Sequence, residues 1–226
     1  MVKATRLVGE AEGKWASVVA VCRGRAPSDP APLVTICGPS GVGKTSVVRR
    51  LSQQYRSVVE TTQGNPHISA LLKGSTAFEA AANQRWFLQE VQEKVGDSDP
   101  TLPLVVDQDP AAIVLVYSRM FFDEGRMSEE EYVGLLTHLL KMEGVMRKWR
   151  TPRTVLCLDA PAAVLHERVQ ARSGRRQAPP IEWFSRLRDY FLEFFDQLPN
   201  DIRVSTVDHS LADVVDQAKA LFEFRN

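Results

Sequence analysis

The chain has 226 residues, 44% of them hydrophobic, and its 28 Lys and Arg balance 28 Asp and Glu. Such a length can bury one substantial core, and the balanced charge leaves no electrostatic footprint for duplex nucleic acid or an anionic membrane surface. The longest apolar runs, such as Ala111 to Val116, fall far short of the ~20 residues that span a bilayer, and no signal-peptide core opens the chain, so a cytoplasmic protein with a small-molecule partner is expected.

Cys22, Cys37 and Cys157 lie far apart in no metal-ligand pattern, and the last two fall in apolar strand-like runs where a reduced thiol acts as a small core hydrophobe. His67, His138, His166 and His209 also lack ligand spacing and read as surface or packing residues. Residues 1–31 stand outside the pattern that follows and form an N-terminal extension, with a linker at Ala26 to Pro32. Residues 32–226 form one domain.

From Leu33 onward, short apolar strands alternate with longer amphipathic helices, the pattern of an α/β fold with a parallel sheet covered on both faces. The first strand is Leu33 to Cys37, a helix follows at about Lys44 to Tyr55, and Ser57 to Glu60 is a second strand. Helices are predicted over Pro66 to Lys73 and Thr76 to Val95, then a buried strand over Pro103 to Asp107 ending in an acid. The next helices are Pro110 to Glu124 and Glu129 to Trp149, the second opened by a capping box of Ser128 with Glu131. Thr154 to Leu158 is the fourth strand, Pro161 opens an arginine-rich helix, and Ile181 to Leu198, Ile202 to Val207 and Leu211 to Phe224 complete the chain as helix, strand and helix.

The strongest local signal is Gly38-Pro39-Ser40-Gly41-Val42-Gly43-Lys44-Thr45, a P-loop (Walker A) match lying between a predicted strand and a predicted helix. Gly38, Ser40, Gly41, Val42, Gly43, Lys44, Thr45 and Ser46 are therefore the expected nucleotide cradle. Backbone N–H groups and the helix N-terminus meet the phosphates, Lys44 reaches the β- and γ-phosphates, and the Thr45 hydroxyl ligates Mg²⁺. The expected cofactors are ATP and Mg²⁺. Asp107, at a strand end beside this loop, stands where P-loop enzymes keep a carboxylate for the metal, although a strand-end acid can also serve a turn. Asp109, before Pro110, reads as a helix N-cap.

Arg168, Arg172 and Arg175 share one helical face and Arg176 shares the face of Arg172, so the group can close over phosphate oxygens as a lid at about residues 166–180. Arg168 and Arg172 are the catalytic candidates among them, while Arg172, Arg175 and Arg176 are candidates for the nucleotide. A solvated helix face would look the same in sequence.

In this order the motifs resemble the deoxynucleoside kinase family over nearly all of Leu33 to Phe224. The matches are the P-loop, Val59-Glu60 with Asn65-Pro66-His67-Ile68, Gln84 with Phe87-Leu88, Asp107, the stretch Tyr117 to Tyr132, and the strand Leu156 to Asp159 leading into the lid. The resemblance implies a P-loop NTPase fold, a three-layer α/β/α sandwich with a five-stranded parallel sheet in the order 2-3-1-4-5. It implies that Glu60 is the general base for the acceptor hydroxyl, that Gln84 reads the edge of the nucleobase, and that Tyr117 stacks on it with Phe87 nearby. A homodimer through the long helices is also implied.

The chain departs from the family where Gln108 stands for the arginine and Asp109 for the serine of its Glu-Arg-Ser motif, and Arg175, Arg176 and Gln177 occupy the place of an acid that holds the sugar. Val91 and Ile113 stand where an Arg and Asp pair over purines or cytosine, which points to a pyrimidine nucleoside or a nucleoside-like metabolite. The expected activity is ATP-dependent transfer of the γ-phosphoryl group to a hydroxyl of a small molecule such as a nucleoside. The alternatives are a kinase for a nucleotide or another small alcohol, and a nucleotide-binding regulatory protein with reduced catalysis.

Overall fold

In the first strand, β1 (Leu33–Cys37), Val34 and Ile36 pack into one apolar cluster while Cys37 packs into another, as a strand's two-residue period requires of a strand covered on both faces. The structure, a computed structural model, describes residues 31–67, 77–149, 154–173, 178–198 and 201–223. Five parallel strands, β1, β2 (Arg56–Val58), β3 (Leu104–Asp107), β4 (Thr154–Asp159) and β5 (Asp201–Ser205), lie in the order β2-β3-β1-β4-β5. This is the expected fold and strand order.

On one face, Val34, Ile36, Leu156 and Leu158 pack against α1 (Lys44–Leu51), α6 (Ala162–Ser173) and α8 (Leu211–Glu223). On the other, Cys37, Val155 and Cys157 meet α2 (Ala77–Gly96), α5 (Glu129–Met146) and α7 (Ile181–Asp196). Cys37 and Cys157 are register partners across β1 and β4, and both are buried free thiols. They fill core volume, as expected for these two positions.

The predicted helix at 110–124 is interrupted. Pro110–Ala112 is α3, Ile113–Ser118 winds as a π-helix, and α4 resumes at Arg119–Asp123. The Ser118 hydroxyl donates to the Ile113 carbonyl five residues back at 2.8 Å, a bond suited to the wider turn and invisible to a 3.6-residue pattern. Other helix ends shift modestly. The helix after the P-loop stops at Leu51, and α5 stops at Met146, although its Ser128 and Glu131 capping box forms as predicted.

Pro66 and His67 lie in a turn rather than at the start of a helix, and the rest of the predicted Pro66 to Lys73 helix falls outside the described residues. So does the extension, apart from Ala31, whose N–H donates to the Pro100 carbonyl.

Candidate active site

The parallel sheet brings the ends of β1, β2 and β3 to one edge, and every sequence-predicted carboxylate of the site arrives there. The P-loop leaves β1 at Gly38 and enters α1 at Lys44. Gly38 and Gly41 are required by space as well as by conformation, and Gly43, at φ +109° with open space around it, by conformation alone. A Cβ at Gly38 (φ +151°) would stand 2.4 Å from the Leu158 carbonyl oxygen, and one at Gly41 (φ +88°) would stand 2.8 Å from that of Leu165. The loop is thus held against β4 and α6 in the curled form that a phosphate cradle needs.

Lys44 is nearly buried, and its ammonium donates to the Gly38 and Pro39 carbonyls at 2.8 and 3.3 Å. The charge therefore stays inside the loop that must meet the phosphates. The Thr45 hydroxyl donates to Asp107 Oδ2 at 2.7 Å, while Asp107 Oδ1 is buried without a partner. A hydroxyl and a carboxylate with an oxygen to spare are the hard donors a Mg²⁺ ion takes in a P-loop site. Among the described residues no cluster of three or more His, Cys, Asp or Glu could form a self-sufficient metal cage, so these two donors fit a metal shared with phosphate oxygens.

Glu60 lies two residues beyond β2, and its backbone N–H faces the Asp107 carboxylate. Burial pushes its carboxyl up to about 7, Lys44 opposes the shift, Asp107 adds to it, and Arg172 opposes it. A carboxyl poised there can hold or release a proton near neutral pH. Burial likewise raises Asp107, with Lys44 and the Thr45 hydroxyl pulling it back.

The lid arginines separate. Arg172 is exposed on α6 and its charge reaches Glu60, so it joins the site. Arg168 is held by the fold: its guanidinium donates to the Thr206 hydroxyl at 2.9 Å, the Thr206 carbonyl at 3.1 Å and the Val42 carbonyl at 3.5 Å. These bonds anchor α6 to the loop after β5 and to the back of the P-loop, a positioning task in place of the open lid face expected of it. Arg175, Arg176 and Gln177 fall outside the described residues.

Among the residues expected to hold the acceptor, Gln84 is buried on α2 beside Asn83, whose carbonyl accepts a hydrogen bond from Asn65 at 2.9 Å. Phe87 is a core residue, set edge-on to Trp86 at 5.3 Å. Tyr117 stands edge-on to Phe191 at 5.6 Å, and burial, with the negative charge of Glu60 adding to it, raises its hydroxyl well above the usual range while the Ser40 backbone N–H pulls it back. Val91 and Ile113 belong to different clusters, Val91 with Val58, Leu104 and Val106, and Ile113 with Ala80 and Leu88. Val91 therefore packs on the sheet and does not join Ile113 in one pocket wall, because its place on α2 turns it toward β2 and β3.

Asp109 caps α3 as predicted, accepting from the Ala111 N–H at 2.8 Å, and also accepts from the Thr35 hydroxyl at 2.6 Å. Among the ion pairs the sequence reading did not anticipate, one lies at the end of β4. Arg188 on α7 grips Asp159 at the end of β4 through two bonds of 2.9 and 2.7 Å, steadying the root of the lid. The two residues are 29 positions apart, and only an acid ending a strand hinted at the pair.

A model of the deoxynucleoside kinase family matches residues 34–225. No curated protein sequence matches the chain. Among solved structures, a deoxyadenosine kinase from M. mycoides with products dCMP and a flexible dCDP bound is similar, with a TM-score of 0.66 and 14% identity over 84% of this chain and 98% of that one. The same organism's deoxyadenosine kinase with bound dCTP has a TM-score of 0.68 and 14% identity over 85% of this chain and all of the other.

Proposed function

Because the chain belongs to the deoxynucleoside kinase family, we propose that its ATP-dependent phosphoryl transfer to a nucleoside runs through Glu60 as general base, with Lys44, the P-loop N–H groups and Arg172 meeting the phosphates. The observation that carries this reading is the convergence of Glu60, Lys44, Asp107 and Arg172, residues from four segments, at the ends of the parallel strands.

In the transfer, a lone pair of the acceptor hydroxyl forms a new bond to the γ-phosphorus while the bond from that phosphorus to the β–γ bridging oxygen breaks. The acceptor proton passes to Glu60. Lys44 and the loop N–H groups hold the γ-phosphate oxygens and the leaving oxygen, where charge develops, and positioning of this kind does most of the work in phosphoryl transfer. Thr45 and Asp107 would hold Mg²⁺, which would neutralise charge on the β- and γ-phosphates. Arg172 closes from α6 as the phosphoryl group moves.

Gln84 reads the base, since a carboxamide donates and accepts together. The similar structures are of a deoxyadenosine kinase solved with dCMP, dCDP and dCTP, which puts deoxyadenosine and deoxycytidine first in a screen, with thymidine tested beside them. The buried free thiols accord with a reducing cytoplasm, and no helix among the described residues is long and apolar enough to cross a membrane. A homodimer would pair α2 and the helical segment at 110–149 between subunits; within the subunit α2 and α5 are bridged by His138 and Gln92 at 2.6 Å. The deciding experiment is a screen of nucleosides, nucleotides and small alcohols for ATP-dependent phosphorylation. Turnover on a nucleoside that falls by roughly 10²-fold or more in Glu60→Gln supports the reading, and turnover confined to nucleotides or non-nucleoside alcohols sinks it.

A further inference from the structure

β2 is a three-residue strand at the edge of the sheet, its pairing with β3 ends at Val58, and Glu60 lies two residues further on. Apart from its own N–H, which faces Asp107, the position of Glu60 depends on what the chain does next. Of residues 61–67 only Asn65 is buried, while Thr62, Gln63, Gly64 and Pro66 are exposed. Three local bonds close this loop on itself. The Gln63 N–H donates to the Thr61 hydroxyl at 3.0 Å, the Asn65 N–H to the Thr62 carbonyl at 3.2 Å, and the His67 N–H to Asn65 Oδ1 at 2.9 Å. In a loop folded this tightly, whatever holds Asn65 also holds Glu60.

A second carboxamide holds Asn65. Its Nδ2 donates at 2.9 Å to Oδ1 of Asn83, 18 positions on, in α2. Because the His67 N–H already occupies Asn65 Oδ1, the amino group of Asn65 must face Asn83, which answers with its carbonyl. Asn83 is 1% exposed on a helix whose adjoining turns give Ala80, Ala81, Phe87 and Leu88 to the core, and its own amino group has no partner. Burying a carboxamide with one half unpaired costs stability, and an apolar side chain in that place would cost less. Core packing therefore does not account for Asn83, whereas a hold on Asn65 does. The next residue along α2 is Gln84.

We propose that Asn65 and Asn83 form a positioning pair whose hydrogen bond docks the Glu60 loop onto α2, so that the general base and the residue that reads the nucleobase keep a fixed separation. This rests on the nucleoside-kinase reading, in which Glu60 takes the acceptor proton and Gln84 holds the base. The nucleoside bridges those two side chains, and its hydroxyl lines up for attack only when both ends are held at the right spacing. Phosphoryl transfer draws most of its rate from such placement, and a displacement of about 1 Å costs up to ~10²-fold. ATP is held elsewhere, by the P-loop and α6, so the pair acts on transfer and not on ATP binding.

The test uses the full chain with ATP and Mg²⁺, and deoxycytidine and deoxyadenosine as acceptors. Asn65→Ala and Asn83→Ala each lower nucleoside kcat by roughly tenfold or more, with the KM for ATP within about twofold of wild type. The double variant falls no more than about twofold below the slower single, because both changes break one bond. In a Glu60→Gln background Asn65→Ala costs less than about threefold, since the group it positions is already gone. A pair with only a structural task gives a different pattern, lower melting temperatures with kcat intact. If Asn83→Ala fails to fold, Asn65→Ala on the exposed loop breaks the same bond and carries the same kinetic test. Three results overturn the pair while nucleoside turnover by the wild type leaves the functional reading standing. They are single-variant kcat within about threefold of wild type, a rise in ATP KM in place of the fall in kcat, and an Asn65→Ala penalty as large beside Glu60→Gln as in the wild type. A wild-type chain that neither phosphorylates a nucleoside nor binds one by calorimetry overturns the functional reading, and the role of the pair with it.

Discussion

The Thr45 hydroxyl reaches across from α1 to Asp107 Oδ2 at the end of β3, 2.7 Å away and 62 residues on in sequence, leaving Oδ1 without a partner. This single bond aligns the first turn of the P-loop helix with the neighbouring strand and sets two oxygen donors side by side. Asp107→Asn is therefore expected to raise the Mg²⁺ concentration needed for half-maximal turnover by roughly tenfold or more, because an amide is a poor substitute for a carboxylate at a hard cation. Magnesium titrations of turnover in wild type and variant check this, and coincident curves would remove Asp107 from the metal site.

Lys44→Ala deletes a nearly buried ammonium that bonds two loop carbonyls. Turnover should fall by roughly 10³-fold, with circular dichroism and cooperative melting preserved, since the change removes a phosphate contact and little core volume. A folded variant that turns over at the wild-type rate would refute the phosphate site.

Glu60→Gln should keep ATP affinity and lower turnover by roughly 10²-fold or more. In the wild type, kcat/KM should fall on the acid side with a midpoint near the value of about 7 that burial gives Glu60. A flat profile from pH 5.5 to 8 would remove Glu60 as the base.

The same group makes stability depend on pH. Its folded value of about 7 lies above the ordinary glutamate value of 4.5, so folding favours the protonated form. The associated stabilisation is complete below 4.5 and is lost as pH rises through about 7, up to about 3 kcal/mol. Urea unfolding of wild type and Glu60→Gln at acid and mildly alkaline pH measures it. The variant should lose less stability across that range, and parallel losses would contradict the assignment.

Arg168 and Arg172, four residues apart on α6, should respond in opposite ways. Arg168→Ala breaks bonds to Thr206 and Val42 and should cost about 1–2 kcal/mol of stability. Arg172→Ala removes an exposed cation whose field reaches Glu60, and should lower kcat with little change in unfolding. Paired denaturation and kinetic measurements separate them, and a stable, slow Arg168→Ala would return Arg168 to the catalytic group.

The sequence by itself determined the features that rest on local chemistry. The apolar runs Leu33–Cys37 and Leu104–Asp107, the glycines of the P-loop, the Asp109 cap and the Ser128 and Glu131 box each follow from a few adjacent residues, and together they imply the parallel sheet and its phosphate site. Glu60 and Asp107 were legible as acids at strand ends, which in such a sheet converge on one edge.

Only the tertiary structure decided relations between distant side chains. The chemistry of Arg168 depended on whether carbonyls of Thr206 and Val42 would meet its guanidinium before a ligand did. Tyr117 lies in a π-helical stretch and meets Phe191 edge-on, and helical periodicity carries no sign of such a widened turn. Val91 followed the packing of α2 on the sheet, and Gln108 was left buried and unpaired by a backbone held at positive φ. Hydrogen bonding and burial depend on which groups three-dimensional packing brings within a few ångströms, and the order of residues along a chain does not state those distances.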